Sequence, residues 1–384
     1  MLKIGVIGFG SRIASLVMEL YKYGLDVLVT AAADTDKDGA KARMHEAGVD
    51  VSKVAFYSGY LQMMDSEKLD GVMIGTRCSL HAQIACDIFK YKIPVFLEKP
   101  VAISNKDFID LKQAYERYNP NVIVSFPLRL TPIIKTVKDF IDSGEIGTVE
   151  NVQAINNVPY GGVYYHNWYR DENETGGLFL QKATHDFDYI NYLLGHEPVM
   201  ICAMEAKQIF KGDREDKYCI DCKDYYTCCE SPYVMKHFKD DTPNGDMCCY
   251  ARDTGNHDSA SVIIKYETGM IVNYSQNFFA RKSAAKRGAR LLGYKGTLEF
   301  DWFEDQITIY RHDFARVDTY KYNSAGKTHG GGDASLMHNF IQVMEGREES
   351  KSPLLAGLKS AYMCLMANES AKSNKYIPIE WQNA

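Results

Sequence analysis

Gly8-Phe9-Gly10 stands between a short β-branched run, Lys3–Gly8, and a stretch of helical spacing, Arg12–Tyr23. Gly8 permits a tight turn. Gly10 lets backbone approach a pyrophosphate at a helix N-terminus, where free N–H groups and the helix dipole favour anions. The residues expected around that phosphate are Gly8, Phe9, Gly10, Ser11, Arg12 and Ile13. Ile13 stands where the fingerprint has its third glycine, with small Ala14 next, so helix packing must differ there. Asp34 closes the next apolar run, Val27–Ala33, 24 residues after Gly10. A carboxylate there binds both ribose hydroxyls and repels a 2′-phosphate. Loop and carboxylate together point to a dinucleotide, NAD in preference to NADP.

Two further loops end apolar runs. Thr76-Arg77-Cys78-Ser79-Leu80-His81 follows Gly71–Gly75, and Glu98-Lys99-Pro100 follows Val95–Leu97. Ligands of open α/β sheets sit at such carboxyl ends, so Thr76, Arg77, His81, Glu98 and Lys99 are expected cofactor contacts. His81 reads equally well as a solvated residue at a helix start. Lys99 beside a nicotinamide can hydrogen-bond a substrate hydroxyl, with its pKa lowered by burial or nearby positive charge. In Tyr164-Tyr165-His166-Asn167-Trp168-Tyr169-Arg170, aromatic faces suit the C–H faces of pyranose rings and polar groups suit hydroxyls. Tyr165, His166, Trp168 and Arg170 are the expected contacts, and an aromatic core patch is the plain alternative. His329-Gly330-Gly331-Gly332-Asp333 holds three glycines that allow close approach or motion.

The order and spacing of Gly8-x-Gly10, Asp34, Thr76–His81 and Glu98-Lys99-Pro100 resemble the Gfo/Idh/MocA oxidoreductases. The likeness runs on through Gly144-Glu145-Ile146-Gly147, Gly176-Gly177 and Lys182-Ala183-Thr184-His185-Asp186-Phe187-Asp188, nearly the whole chain. It implies oxidation or reduction of hydroxyls on sugars, inositols or their derivatives. Some members instead keep NAD bound and cleave glycosides through a transient oxidation. By position, the resemblance makes Lys99 the catalytic lysine and His185 the acid/base that takes the hydroxyl proton. Inositol-dehydrogenase-like members carry Asp four residues before that His; here Gln181 stands there, and an amide cannot accept the proton. Lys182 is then expected to orient substrate or to lower the pKa of Lys99. Asp188, one helical turn beyond His185, is placed to orient the imidazole. The resemblance also puts Arg129, in Phe126-Pro127-Leu128-Arg129, near the active site, likens Tyr165–Arg170 to a YHxWxR stretch of sugar-processing members, and puts His329 at the substrate mouth.

The elements that must position these groups fall into two parts. Residues 1–122 alternate strands and helices, the pattern of a doubly wound parallel Rossmann sheet. Residues 123–384 carry strand-like runs at Val149–Val158, Val199–Lys207, Ser259–Tyr266, Met270–Phe279, Gly296–Asp301 and Gln306–Arg311. Helical stretches are Pro132–Ser143, His185–Leu194, Ala334–Glu345 and Leu354–Ser373. A mostly antiparallel sheet covered by helices on one face follows. An open apolar sheet face is rarely left wet, so a homodimer or homotetramer is expected.

Six of ten cysteines crowd between Cys219 and Cys249, inside a charged segment, 211–253, with few long apolar runs. Cys219, Cys222, Cys228 and Cys249, with Cys229 and Cys248 as alternates, suit structural zinc or an iron–sulfur cluster. Free or disulfide-forming thiols are the competing reading. A net charge of −6 offers no footprint for nucleic acid or anionic membrane. The opening MLKIGVIGFGS is too short to span a bilayer and lacks a cleavage site, so a cytoplasmic location is expected. Three activities remain in view: an NAD-dependent dehydrogenase of a sugar, glycoside or cyclitol; a glycoside-cleaving enzyme with recycled NAD; and a non-catalytic NAD-binding regulator.

Overall fold

A computed structural model describes residues 1–215, 217–239 and 243–381. Strands β1 (Leu2–Ile7), β2 (Val27–Ala33), β3 (Ala55–Tyr57), β4 (Gly71–Ile74), β5 (Val95–Leu97) and β6 (Val122–Val124) form one parallel sheet. Its order is β3-β2-β1-β4-β5-β6. Every residue of β4, β5 and β6 is buried, as parallel strands between helix layers require. Strand order reverses between β1 and β4, which opens a crevice at their carboxyl ends. Ile7 pairs with Ile74, so the loops at Gly8 and Gly75 leave the sheet side by side.

The second sheet comprises β7 (Val149–Asn157), β8 (Pro198–Ala206), β9 (Ser259–Tyr266), β10 (Ile271–Asn277), β11 (Lys286–Gly293), β12 (Gly296–Asp301), β13 (Gln306–Arg311), β14 (Val317–Lys321) and β15 (Ile377–Pro378). The order is β14-β13-β12-β11-β7-β10-β9-β8-β15, antiparallel throughout except for the β7–β10 pair. Alternation decides the faces: β9 buries Ala260, Val262, Ile264 and Tyr266 and exposes Ser261, Ile263 and Lys265. Helix Thr184–Leu194 packs on the buried face through Phe187 against Tyr274 and Tyr189 against Phe300.

Strand β11 lies inside that sheet, between β12 and β7, although its sequence, Lys286-Arg287-Gly288-Ala289-Arg290, does not read as a strand. The glycine that weakens the signal is required: a Cβ at Gly288 would stand 1.9 Å from the Phe300 carbonyl oxygen. Helix Gly332–Met344 returns to the first sheet. Leu336, Met337 and Phe340 share a core with Leu16 and Phe96, the Phe96 and Phe340 rings lying 5.8 Å apart. Among the described residues no helix is long and apolar enough to cross a membrane.

Candidate active site

The glycine loop meets the crevice at the switch point. Gly8 adopts φ +78°, and a Cβ there would stand 2.8 Å from the Thr76 methyl. Helix Ser11–Lys22 begins at Gly10 without a side-chain cap, which leaves its first N–H groups open to an anion. A Cβ at Gly10 would enter open space, its nearest neighbour being the Gly75 carbonyl oxygen at 3.7 Å. Asp34 is clamped over the loop: Phe9 N donates to Oδ2 at 2.7 Å and Asp36 N to Oδ1 at 2.8 Å. Ile13 explains the missing third glycine. Its side chain is buried against Gly75, where a Cβ would come within 2.1 Å of it, so the strand supplies the glycine that the helix lacks. Phe9 likewise buries its ring, leaving its backbone to the loop, while Ser11 is exposed at the helix start.

Lys99 and His185 come to the crevice from different elements. Lys99 leaves β5, and its Nζ donates to the Gln181 carbonyl oxygen at 2.9 Å. Burial lowers its pKa, with the Lys182 charge adding to the effect. Gln181 and Lys182 lie in a single π-turn, Phe179–Ala183, that leads into helix Thr184–Leu194. That turn aims the Gln181 carbonyl at Lys99 and sets His185 in the first helical turn. His185 is buried, and its Nδ1 is sealed from solvent with no partner among the described residues. Burial first, then the charges of Lys99, Arg287, His329 and Lys182, push its pKa well below the ordinary imidazole range. It is therefore a neutral acceptor at physiological pH. Lys182 Nζ lies 5.4 Å from the Tyr164 ring centre, and burial with the nearby Arg287 charge lowers its pKa to about 8.

Several expected contacts are placed elsewhere. Asp188 does not orient His185: both its oxygens are taken by Arg129, in a buried pair that also ties Arg129 Nη1 to the Lys351 carbonyl at 3.2 Å. Neither residue is free for substrate. Tyr165 is core, its hydroxyl donating to the His257 carbonyl at 2.7 Å. Arg170 is buried and spends its guanidinium on the Tyr165 and Cys248 carbonyls and on Asp253. His166 faces the 211–253 segment through Met247 and Glu230. The aromatic-core alternative thus describes Tyr165, His166 and Arg170. Trp168 alone of the four stays at the cleft, stacked on Tyr169 at 3.9 Å and under the exposed Arg77 guanidinium at 3.6 Å. His81 is buried, not solvated, with Nδ1 at 2.9 Å from the Pro100 carbonyl and Nε2 at 3.3 Å from that of Thr76. It braces the two loops and has no ring nitrogen left for a cofactor. Arg12 pairs with Asp333 and Glu98, which ties the start of helix Ser11–Lys22 to the Glu98 loop and to helix Gly332–Met344. His329 donates from Nδ1 to Asp333 at 2.8 Å, and its ring lies 6.5 Å from that of His185.

Comparison with known proteins matches residues 2–126 to the description "Oxidoreductase family, NAD-binding Rossmann fold" and residues 134–299 to "GFO/IDH/MocA C-terminal domain". The chain belongs to the Gfo/Idh/MocA family. Among curated relatives, the putative oxidoreductase YteT of Bacillus subtilis (strain 168) is 26% identical over 319 residues, 73% of this chain and 74% of YteT. Myo-inositol 2-dehydrogenase of Thermotoga maritima is 24% identical over 196 residues, 51% of this chain and 56% of that enzyme. The solved structure of levoglucosan dehydrogenase with NADH and levoglucosan aligns at a TM-score of 0.79 and 17% identity, covering 99% of each chain. A putative myo-inositol dehydrogenase from Sinorhizobium meliloti 1021 aligns at 0.71 and 21%, covering 99% of this chain and 100% of that one. These likenesses are of fold.

The NAD of this Gfo/Idh/MocA chain fits the residues present: an uncapped helix N-terminus, an open approach at Gly10 and the clamped Asp34 carboxylate. Gln181 is turned to structure, its amide donating to the Thr175 carbonyl at 3.1 Å and to Cys78 Sγ at 3.4 Å. Three groups at the site were not singled out in the sequence. Tyr164 sits beside Lys99 and Lys182, and its hydroxyl makes no hydrogen bond among the described residues. It begins the aromatic string, so the string itself was its signal. Arg287 and Asp186 form a buried pair, Nε to Oδ1 at 2.9 Å, completed by Asn156 and Tyr274 on Oδ2. Asp186 stood in the quoted motif, but Arg287 had no signal because β11 had none.

The four-cysteine set does not include Cys249; the alternate Cys248 meets Cys219 instead, with Cys222 and Cys228 near the same Arg214 guanidinium. Cys249 turns toward His166 and Glu230, whereas Cys219 donates to the Met247 carbonyl and Cys222 accepts from Arg214. Among the described residues, the group of ligating side chains whose atoms lie within 4.8 Å of one another is His166, Glu230 and Cys249.

Proposed function

We propose that this chain is an NAD-dependent dehydrogenase of a secondary hydroxyl on a sugar, glycoside or cyclitol. The observation that carries the reading is that Lys99, a donor to the Gln181 carbonyl, lies near enough to buried His185 for its charge to disfavour the imidazolium, beside the carboxyl ends of the parallel strands. The cofactor, when bound, accepts or returns the electron pair of the carbinol C–H bond. Lys99 Nζ, already a donor, hydrogen-bonds the reacting hydroxyl oxygen and holds it in place. His185 takes the hydroxyl proton at Nε2, since Nδ1 is sealed away. The Tyr164 hydroxyl and Lys182 ammonium are donors for neighbouring hydroxyls. The inositol and levoglucosan dehydrogenases among its relatives support a polyhydroxylated substrate.

Purified protein given NAD and a panel of inositols, anhydrosugars and glucosides should produce NADH with at least one of them. Cofactor binding with no turnover across the panel would refute the reading. Release of an aglycone without NADH accumulation would replace it with glycoside cleavage through recycled NAD.

A further inference from the structure

His166, Glu230 and Cys249 converge behind the substrate wall, all three buried. Glu230 and Cys249 come from the 211–253 segment, and His166 from the short helix Val163–His166 that carries Tyr164. His166 Nδ1 lies 2.7 Å from the Met247 carbonyl oxygen, which can only accept, so Nδ1 carries the hydrogen. In the neutral imidazole, Nε2 is then a lone pair. It faces Glu230 Oε2 at 3.8 Å and the Tyr160 hydroxyl oxygen at 2.8 Å. Tyr160 has one hydrogen to give, and it also bonds Glu230 Oε2. An imidazole nitrogen, a carboxylate oxygen and a thiol sulfur thus converge in a buried space, a donor set that a cation can hold.

We propose that His166 Nε2, Glu230 Oε2 and Cys249 Sγ bind a zinc ion, with the Tyr160 oxygen completing four ligands. A mixed nitrogen, oxygen and sulfur set suits zinc, and one carboxylate with one thiolate balances its two charges. Binding breaks the Cys249 S–H bond, forms a sulfur–zinc bond and releases the proton to solvent. The outer partners are in place. The Met247 carbonyl fixes the histidine tautomer, and Arg281 Nη2 holds Glu230 Oε1, the oxygen turned away from His166, at 2.6 Å. The role is structural: the ion pins the cysteine-rich segment to the wall bearing Tyr164 and Trp168, and touches neither Lys99 nor His185. The site differs from a four-cysteine centre in ligands and place, and it stands whether or not the dehydrogenase reading holds.

The test uses the full-length protein, stripped with a chelator and reloaded with zinc or cobalt. Zinc should bind at one equivalent and raise the melting temperature. Cobalt should give tetrahedral d–d bands with thiolate charge transfer of the intensity of a single cysteine. His166→Gln, Glu230→Gln and Cys249→Ser should each lose the bound metal, whereas Cys219→Ser and Cys222→Ser should keep it. Absence of binding overturns the proposal. So does charge transfer of three or four thiolates, or metal that survives His166→Gln but is lost from Cys219→Ser. If the ligand variants do not fold, the wild-type cobalt spectrum decides alone, because it counts the thiolates directly.

Discussion

At the scale of single residues, the site works by burying positive charge. Lys99, Lys182, Arg287 and His329 surround His185, and each makes protonation of the imidazole harder. Neutral His185 can therefore accept a proton at any pH well above its lowered range. Lys99 is the group whose loss should show most cleanly. Lys99→Met removes the donor to the hydroxyl oxygen but leaves Gly8, Gly10 and Asp34 untouched. Turnover should fall by about 100-fold or more, the usual scale for a positioned proton-handling group, while the NADH dissociation constant measured by fluorescence stays near wild type. Wild-type turnover in that variant would remove Lys99 from the mechanism. Lys182 sets a pH dependence. Its pKa is lowered to about 8, so it is charged below that value and neutral above it. A polyol inhibitor held by the ammonium should bind progressively more weakly as pH rises through about 8, and Lys182→Met should flatten that profile. An inhibitor constant with no inflection near pH 8 in the wild type would exclude the contact.

At the scale of elements, what could be read from the sequence depended on whether a residue's job was local. The Gly8–Gly10 turn, the Asp34 strand end and the helix Leu354–Ser373 are set by neighbours in the chain, and they stand where their spacing puts them. The pairing of Arg129 with Asp188, 59 residues apart, and of Arg12 with Asp333, 321 apart, depends on tertiary approach, and no local pattern announces it. Residues with sugar-binding chemistry, Tyr165, His166 and Arg170, were instead recruited to bury the contact with the 211–253 segment, because the same aromatic and polar groups also satisfy a core. Strand β11 hid behind alternating charge and a sterically required glycine. The exchange between Ile13 and Gly75 makes this tertiary dependence testable. Gly75→Ala puts a methyl into space that Ile13 fills, and overpacking of this kind costs about 1–3 kcal/mol. The variant should melt earlier and bind NADH more weakly through a displaced helix N-terminus. Adding Ile13→Ala should recover part of both losses. If the double variant is as impaired as the sum of the singles, the two side chains do not share that space.

At the scale of the whole molecule, the two sheets differ in what their faces meet. The first is sandwiched between helix layers, and helix Gly332–Met344 closes it by returning from the far end of the chain. The Arg12–Asp333 pair ties that return to the cofactor loop, so the C-terminal region supports the dinucleotide site. The second sheet is covered on one side only. Its other face presents Met204, 71% exposed, with Ile263 at 45% and Ile271 at 41%, interleaved with Gln153, Asn273, Arg290 and Glu299. Register puts these residues on one surface: Asn273 opposes both Ile263 and Gln153, and Gln153 opposes Arg290. A stable pairing buries about 800 Å² on each partner, which a nine-stranded face can supply. Its exposed apolar side chains on β8, β9 and β10 lie beside polar and charged ones on β7, β11 and β12, a mixture that subunit interfaces accommodate. A second copy of the chain, related by a twofold axis, satisfies both sides with one patch. The protein should therefore sediment as a dimer or a tetramer at micromolar concentration. Ile263→Asp, which puts a charge beside Asn273 on that face and touches no residue of the cleft, should shift it to monomer while leaving NADH affinity unchanged. A wild-type chain that sediments as a monomer would mean that this face is tolerated in water, and that the polar residues between Met204 and Ile271 are sufficient to keep it so.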